Sequence, residues 1–271
     1  MDYDYSITQV PDLFNVKGKV ALITGGSSGL GLNMAHGLVR NGCKVYISSR
    51  KQAQCDAAVK ELSKYGEAIA IACDASKKEN LDKLAAFLTE KEQKGIHFCI
   101  ANAGATWGES IDKHSPEAFS KVMDLNVKSV FYTVQVMLPL LERAATKADP
   151  ARVITTGSVA GLRVSSEKVI PYSTSKAAVH HMIRNMSVAL GPRNITCNAI
   201  APGMFPSKMT RGTLKEEAAL QTLVEGNPMG RLGEPRDIIG VCLFLCSPAA
   251  AYVNGIVVPL DGAAYMGGSR I

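Results

Sequence analysis

The stretch "VALITGGSSGLGLNMAHGLV", Val20 to Val39, decides the fold. It opens on a short apolar run, passes through a turn holding Gly25, Gly26, Gly29 and Gly31, and continues in a helical pattern. Glycine accepts positive φ and lets a main chain come close to a ligand. The N–H groups at the start of the following helix have no partners within it, which suits a pyrophosphate. A tight turn without ligand would use such glycines too, but a strand before and a helix after favour dinucleotide binding. The spacing is GxxxGxG rather than GxGxxG, which points to a particular branch of such folds.

The same alternation repeats along the chain. Strands are predicted at 19–24, 44–49, 68–74, 97–102, 152–158, 195–201 and 255–261. Helices are predicted over about 29–41, 51–64, 76–93, 116–145, 172–190 and 234–247. This pattern predicts an α/β fold with a mostly parallel central sheet of about seven strands, covered on both faces. The strands are continuous apolar runs, as burial on two sides requires. No linker or repeat divides residues 1–271, so one doubly wound domain is expected. Residues 1–15 are polar and aperiodic and read as an arm over that domain. Residues 202–227 break the pattern and are long enough for a substrate lid with its own short helix.

The bulk properties exclude several classes. The 271 residues are 46% hydrophobic and 20% charged, ample for a buried core. Thirty Lys+Arg against 24 Asp+Glu give a net charge of +6, but the basic residues are scattered without interleaved aromatics. No nucleic-acid partner is expected. No apolar run reaches the roughly 20 residues of a membrane span. The seven cysteines form no CxxC pair and no zinc spacing, so no metal is expected. Their apolar surroundings suit thiols packed as small hydrophobes. The odd count and the lack of a secretory leader point to a reducing, cytoplasmic setting. The final Ser269-Arg270-Ile271 is near the Ser-Lys-Leu peroxisomal address, a short match only.

The chemistry-bearing residues fall at strand ends and helix starts. In "VYISSRKQ", Ser49 stands where a carboxylate would bind the ribose hydroxyls of NAD, and Arg50 follows. A guanidinium matches the 2′-phosphate of NADP; the other reading of Arg50 is a cap on an exposed turn. NADP(H) is the expected cofactor. Asp74 ends the third strand, placed to meet the adenine edge, and Asn102 to Gly104 form a flexible turn after the fourth. In "PYSTSK", Tyr172 and Lys176 share one helix face. An ammonium beside a phenol lowers a pKa otherwise near 10, so that the tyrosine can exchange a proton with a carbonyl oxygen. A lone YxxxK pair also occurs by chance on surfaces. Ser158, at the carboxyl edge of the fifth strand, either donates to a substrate oxygen or caps a turn. Asn126 is a polar residue in an apolar helical pattern, where an amide is usually a satisfied core or kink residue.

Taken together, these motifs resemble the short-chain dehydrogenase/reductase family over essentially the whole chain. "TGGSSGLG" (24–31), "NAG" (102–104), Asn126, Ser158, "YSTSK" (172–176) and "PG" (202–203) stand in the family order. The resemblance implies a Rossmann fold in which Tyr172 is the catalytic acid/base and Ser158 orients and polarises the carbonyl. Lys176 would lower the tyrosine pKa and hold the nicotinamide ribose, and Asn126 would position a water relaying protons to Lys176. Gly25, Ser27, Ser28, Leu30, Arg50 and Asp74 would line the cofactor. So would Asn102, Gly104, Pro202, Gly203, Phe205 and Ser207, with Tyr172 and Lys176. Phe205 and Ser207 depart from the small aliphatic and threonine residues common there. Ser28 occupies a position often basic in NADP-using members, which leaves phosphate recognition mostly to Arg50.

Within the family, "NAIAPGMFPSKMT" resembles 3-oxoacyl-thioester reductases, including a rhamnolipid-linked type, and fungal carbonyl reductases. The expected function is NADPH-dependent reduction of a 3-oxoacyl or other lipophilic or aromatic carbonyl to a secondary alcohol. An NADP-linked secondary alcohol dehydrogenase and a non-catalytic nucleotide sensor are the alternatives. Substrate contacts are expected in residues 161–170, in the lid near 204–225 and at Trp107, which either covers an apolar ligand or only packs. The family also implies a homodimer or homotetramer packed through the helices at 116–145 and 172–190.

Overall fold

Val20–Thr24 forms β1, buried along its whole length, with a parallel neighbour on each side. The computed structural model describes residues 7–164, 166–207, 210 and 216–267. The other strands are β2 (Lys44–Ser49), β3 (Ala68–Ala72), β4 (Phe98–Ala101), β5 (Ala151–Thr156), β6 (Ile195–Pro202) and β7 (Val257–Leu260). They form one seven-stranded sheet in the order β3-β2-β1-β4-β5-β6-β7. Every pairing in it is parallel, so the sheet goes beyond the mostly parallel one expected. The chain winds one way from β1 to β3 and the other way from β4 onward. The crevice between the carboxyl ends of β1 and β4 is therefore where an open α/β sheet takes its ligands.

The helices are α1 (Val10–Leu13), α2 (Gly29–Arg40), α3 (Gln52–Leu62), α4 (Lys78–Lys91), α5 (Pro116–Met123), α6 (Ser129–Ala144), α7 (Ile170–Leu190), α8 (Glu217–Glu225) and α9 (Pro235–Cys246). Strand side chains alternate between two cores. Ala21, Ile23, Val45 and Ile47 meet α2, α3 and α9 through Met34, Leu38, Leu62, Ile238 and Leu245. Val20, Leu22, Tyr46 and Cys99 meet α4, α6 and α7 through Leu81, Leu84, Met137, Leu140 and Ile183. Each fully buried side chain of this size contributes roughly 1.5–3 kcal/mol. Gly37 lets α2 close on α9: a Cβ there would stand 2.7 Å from Ile239 Cγ2.

Two departures from the sequence reading matter at the site. The helix expected over 116–145 is interrupted by a π-helical turn, Asp124–Lys128, which carries Asn126. β5 stops at Thr156; Gly157 N still donates to the Ile200 carbonyl of β6 at 2.7 Å, and Ser158 leaves the sheet to open a 3₁₀ turn over Val159–Gly161. The arm contains the single helical turn α1, and the lid segment contains α8, which buries none of its residues. Residues 1–6 of the arm, 208–209 and 211–215 of the lid, residue 165 and the C-terminal Ser269-Arg270-Ile271 lie outside the described residues.

Candidate active site

The glycine turn is shaped by steric need. Gly25 has φ +68°, and a Cβ there would stand 3.0 Å from Ala103 Cα. A Cβ on Gly31 would lie 2.5 Å from both Asn102 Nδ2 and the Gly25 carbonyl oxygen. β1 and β4 can thus end side by side only because these residues lack side chains. Asn102 fastens the junction: its Nδ2 donates to the Thr24 carbonyl at 3.0 Å, and its Oδ1 accepts from Thr156 Oγ1 at 2.9 Å. Three strand ends are tied by one amide.

Over that junction lies a cleft of about 400 Å³. Gly25, Ser27, Ser28 and Leu30 line it from the first turn, Arg50 from the second strand end, and Asn102 and Gly104 from the fourth. Ser158, Tyr172 and Lys176 border it, and Pro202, Gly203, Phe205 and Ser207 close the far side. Two expected residues stand elsewhere. Asp74 faces an adjoining hollow that shares Arg50 and Leu125 with the cleft, and its Oδ1 accepts from Ser76 N and Oγ. Asn126 lies behind the cleft, 1% exposed. Its Nδ2 donates to the Ala105 carbonyl and to Ser175 Oγ, both at 2.9 Å, and its Oδ1 accepts from Ala105 N at 2.8 Å. With both amide hydrogens used, what the side chain directly fixes is the turn after Gly104 and the start of α7. Phe205, where a small aliphatic is common, fills the space that Gly233 leaves.

Residues 172–176 form the first turn of α7 proper, begun by Pro171, whose missing N–H costs nothing there. Ser175 Oγ donates to the Tyr172 carbonyl at 2.6 Å, and Lys176 Nζ donates to the Thr156 carbonyl at 2.7 Å. Nζ stands 5.6 Å from the Tyr172 ring centroid. Burial pulls Lys176 down to about 8. Burial also pushes the Tyr172 phenol above its ordinary value, while a hydrogen bond with Ser158 works against that. Within the chain itself, burial is thus the largest influence on the phenol. The Lys176 nitrogen is directed at a carbonyl and, with its value lowered by burial, still carries its charge mostly at neutral pH. Ser158 Oγ accepts from Ala160 N at 3.1 Å and stays beside the phenol.

The sequence and the fold resemble those of known proteins. A family model described as enoyl-(acyl carrier protein) reductase matches residues 25–263. A rhamnolipids biosynthesis 3-oxoacyl-[acyl-carrier-protein] reductase of Pseudomonas aeruginosa is 39% identical over 253 residues, 93% of this chain and 98% of that protein. The chain belongs to the short-chain dehydrogenase/reductase family. A solved Pseudomonas aeruginosa RhlG/NADP active-site complex superposes with a TM-score of 0.91 at 39% identity, covering 93% of this chain and 98% of that one. A 7α-hydroxysteroid dehydrogenase complexed with NADH and 7-oxo glycochenodeoxycholic acid gives 0.87 at 30% identity, covering 94% and 97%. The chain is thus an oxidoreductase of this family.

The cleft's donor set fits a phosphorylated dinucleotide. Gly29, at φ +57°, has only Ser207 Cβ near where a side chain would start, at 3.7 Å, so the N-terminus of α2 stays open to the cleft. Arg50, Ser27, Ser28, Ser49 and Gln54 share the lining, and no carboxylate stands at the end of β2. The sequence reading missed Gln54, Thr156, Ser175 and Thr210. Thr156 and Ser175 could have been found as polar residues inside otherwise apolar or small runs. Thr210, whose Oγ1 donates to the Phe205 carbonyl at 2.7 Å, gave no such signal.

Leu162, Val164 and Ile170 are exposed at the segment the sequence reading assigned to substrate. The loop carrying Trp107 is joined to it, Glu109 N donating to the Lys168 carbonyl at 2.8 Å. Trp107 lies outside the cleft lining, its ring 5.6 Å from Lys121 Nζ. All seven cysteines are free and buried. Among the described residues no group of three His, Cys, Asp or Glu could hold a metal, and no helix is long and apolar enough to cross a membrane.

Proposed function

We propose that the chain reduces a ketone, a 3-oxoacyl thioester or another lipophilic or aromatic carbonyl, to a secondary alcohol with NADPH. The observation that carries this reading is that Ser158, Tyr172 and Lys176 meet at one end of the same cleft that Arg50 and the α2 N-terminus line. NADPH, when bound, supplies hydride from its nicotinamide. Everything else falls to the chain's own residues. Ser27, Ser28 and the first turn of α2 hold the pyrophosphate, Arg50 takes the 2′-phosphate, and Lys176 takes the nicotinamide ribose.

Ser158 Oγ donates to the carbonyl oxygen and turns the substrate toward the nicotinamide. As hydride reaches the carbon, Tyr172 passes its proton to that oxygen, so no free alkoxide accumulates. A phenol held above its ordinary pKa keeps that proton at neutral pH until the oxygen becomes basic. The Lys176 ammonium then stabilises the phenolate, and solvent restores the proton. Asn126 and Ser175 hold Tyr172 and Lys176 in register. The exposed Leu162, Val164 and Ile170 support an apolar body on the substrate. The exposed Phe119 and Phe131 on α5 and α6 and Val188 on α7 support a homodimer or homotetramer through those helices.

A panel of 3-oxoacyl thioesters, aromatic ketones and quinones, followed by loss of NADPH absorbance with NADH alongside, tests this. At least one ketone should consume NADPH faster than NADH. Tyr172→Phe should keep nucleotide binding and lose about 10²–10⁴ in rate. Nucleotide bound with no carbonyl reduced, or full turnover in Tyr172→Phe, would rule the reading out.

A further inference from the structure

Tyr172, Lys176 and His180 follow one another at intervals of four on α7, so His180 is the third member of the face that carries the reactive pair. It is 2% exposed and does not line the cleft. Its imidazole lies instead in a slot beneath Ser158, cut by two glycines. A Cβ on Gly157 would fall 2.2 Å from His180 Nε2, and one on Gly161 would fall 2.9 Å from His180 Cε1. Neither glycine has positive φ. The ring requires Gly157, while at Gly161 the α7 backbone of Lys176 and Ala177, 2.6 and 2.7 Å from such a Cβ, comes closer still. Ser158 N points at His180 Nε2 across 3.4 Å, so Nε2 is the acceptor and carries no hydrogen. Nδ1 has no regular partner, although the Gly161 carbonyl is near enough to favour a proton slightly.

We propose that His180 is a positioning residue for the reduction: as a neutral imidazole with its hydrogen on Nδ1, it holds the Ser158 main chain through Nε2 and thereby sets Ser158 Oγ against Tyr172. The proposal rests on the ketone-reductase reading above. Its environment keeps the ring neutral: burial, then the charges of Lys176 and Arg184, pull it down to about 4. A charged ring would turn Nε2 into a donor facing the Ser158 N–H, and that N–H would lose its acceptor. His180 touches neither substrate nor nucleotide. Its effect passes through Ser158 alone.

Two measurements test this. In the wild-type protein labelled with ¹⁵N-histidine, long-range ¹H–¹⁵N spectra at neutral pH should show one ring locked in the Nδ1–H tautomer, and His180→Gln should remove that signal. This readout needs no turnover, so it separates the proposal from the reductase reading. A ring that is charged, or that carries its hydrogen on Nε2, would overturn the proposal. The kinetic test uses NADPH with a ketone the wild type turns over. His180→Leu, which removes the acceptor, should lose at least about tenfold in kcat with the KM for NADPH within about threefold. His180→Gln, whose amide oxygen can reach the Nε2 position, should recover most of that loss. Equal kcat in His180→Leu and wild type, or a loss in KM alone, would overturn it, as would a Gln variant no better than Leu.

Discussion

Lys176 donates to the Thr156 carbonyl at 2.7 Å, and Thr156 in turn donates its hydroxyl to Asn102. The ammonium is therefore anchored to the strand ends that form the cofactor cleft, and its charge is the group most exposed to pH. Burial brings it down to about 8, so it is mostly charged at neutral pH and loses its proton as pH passes that value.

The reductase rate should accordingly fall as pH rises through about 8, with the rate profile under saturating NADPH as the measurement. Lys176→Arg replaces a compact ammonium with a planar fork that never loses its charge. That variant should be slower by about tenfold or more, and its alkaline limb should vanish. An unchanged limb would assign the titration to another group.

A hydrogen bond with Ser158 works to lower the Tyr172 pKa, against a larger effect of burial. Ser158→Ala should lose about 10²–10³ in kcat while NADPH binds as before. The tyrosinate absorbance assigned to Tyr172 should move further toward alkaline pH. A fall in nucleotide affinity instead would show that the cleft itself had been disturbed.

Much of this was written in the sequence because local patterns report local physics. Gly25 and Gly31 signal a turn where strands meet closely, and the four-residue spacing of Tyr172 and Lys176 survives folding as one helix face. What long-range packing decides stayed hidden. Nothing in "DLNVKSVF" announces a π-helical turn, and so the partners of Asn126 were out of reach. The direction of the Tyr172 shift depends on burial, which spacing does not contain.

The buried thiols make a prediction about stability. Burial pushes Cys99 and Cys197 up to about 12 each. Their folded values lie above the unfolded value near 8.5, so their stabilising effect is complete below that pH and is lost as pH climbs toward the folded values. Each should reduce unfolding free energy by about 1.4 kcal/mol per pH unit in that window. Urea midpoints at constant ionic strength with reductant present should fall steeply above about pH 8.5. Replacing both residues by alanine should lower stability at neutral pH but flatten that slope.

Arg50 is exposed, lines the cleft beside Ser49 and Gln54, and has no ion-pair partner among the described residues. A guanidinium left unpaired at the mouth of a nucleotide cleft gains most from a dianionic phosphate, since charge-assisted bonds are the strong ones. Arg50→Ala removes about 1.5–3 kcal/mol of such interaction, so NADPH should bind about 10–150-fold more weakly. NADH, which lacks that phosphate, should shift by no more than about threefold. Adding Ser49→Asp places a carboxylate at the end of β2, where it can accept from the ribose hydroxyls and repel the phosphate. The double variant should then prefer NADH in fluorescence titration. Equal losses for both nucleotides in Arg50→Ala would instead mean that Arg50 only supports the turn after β2.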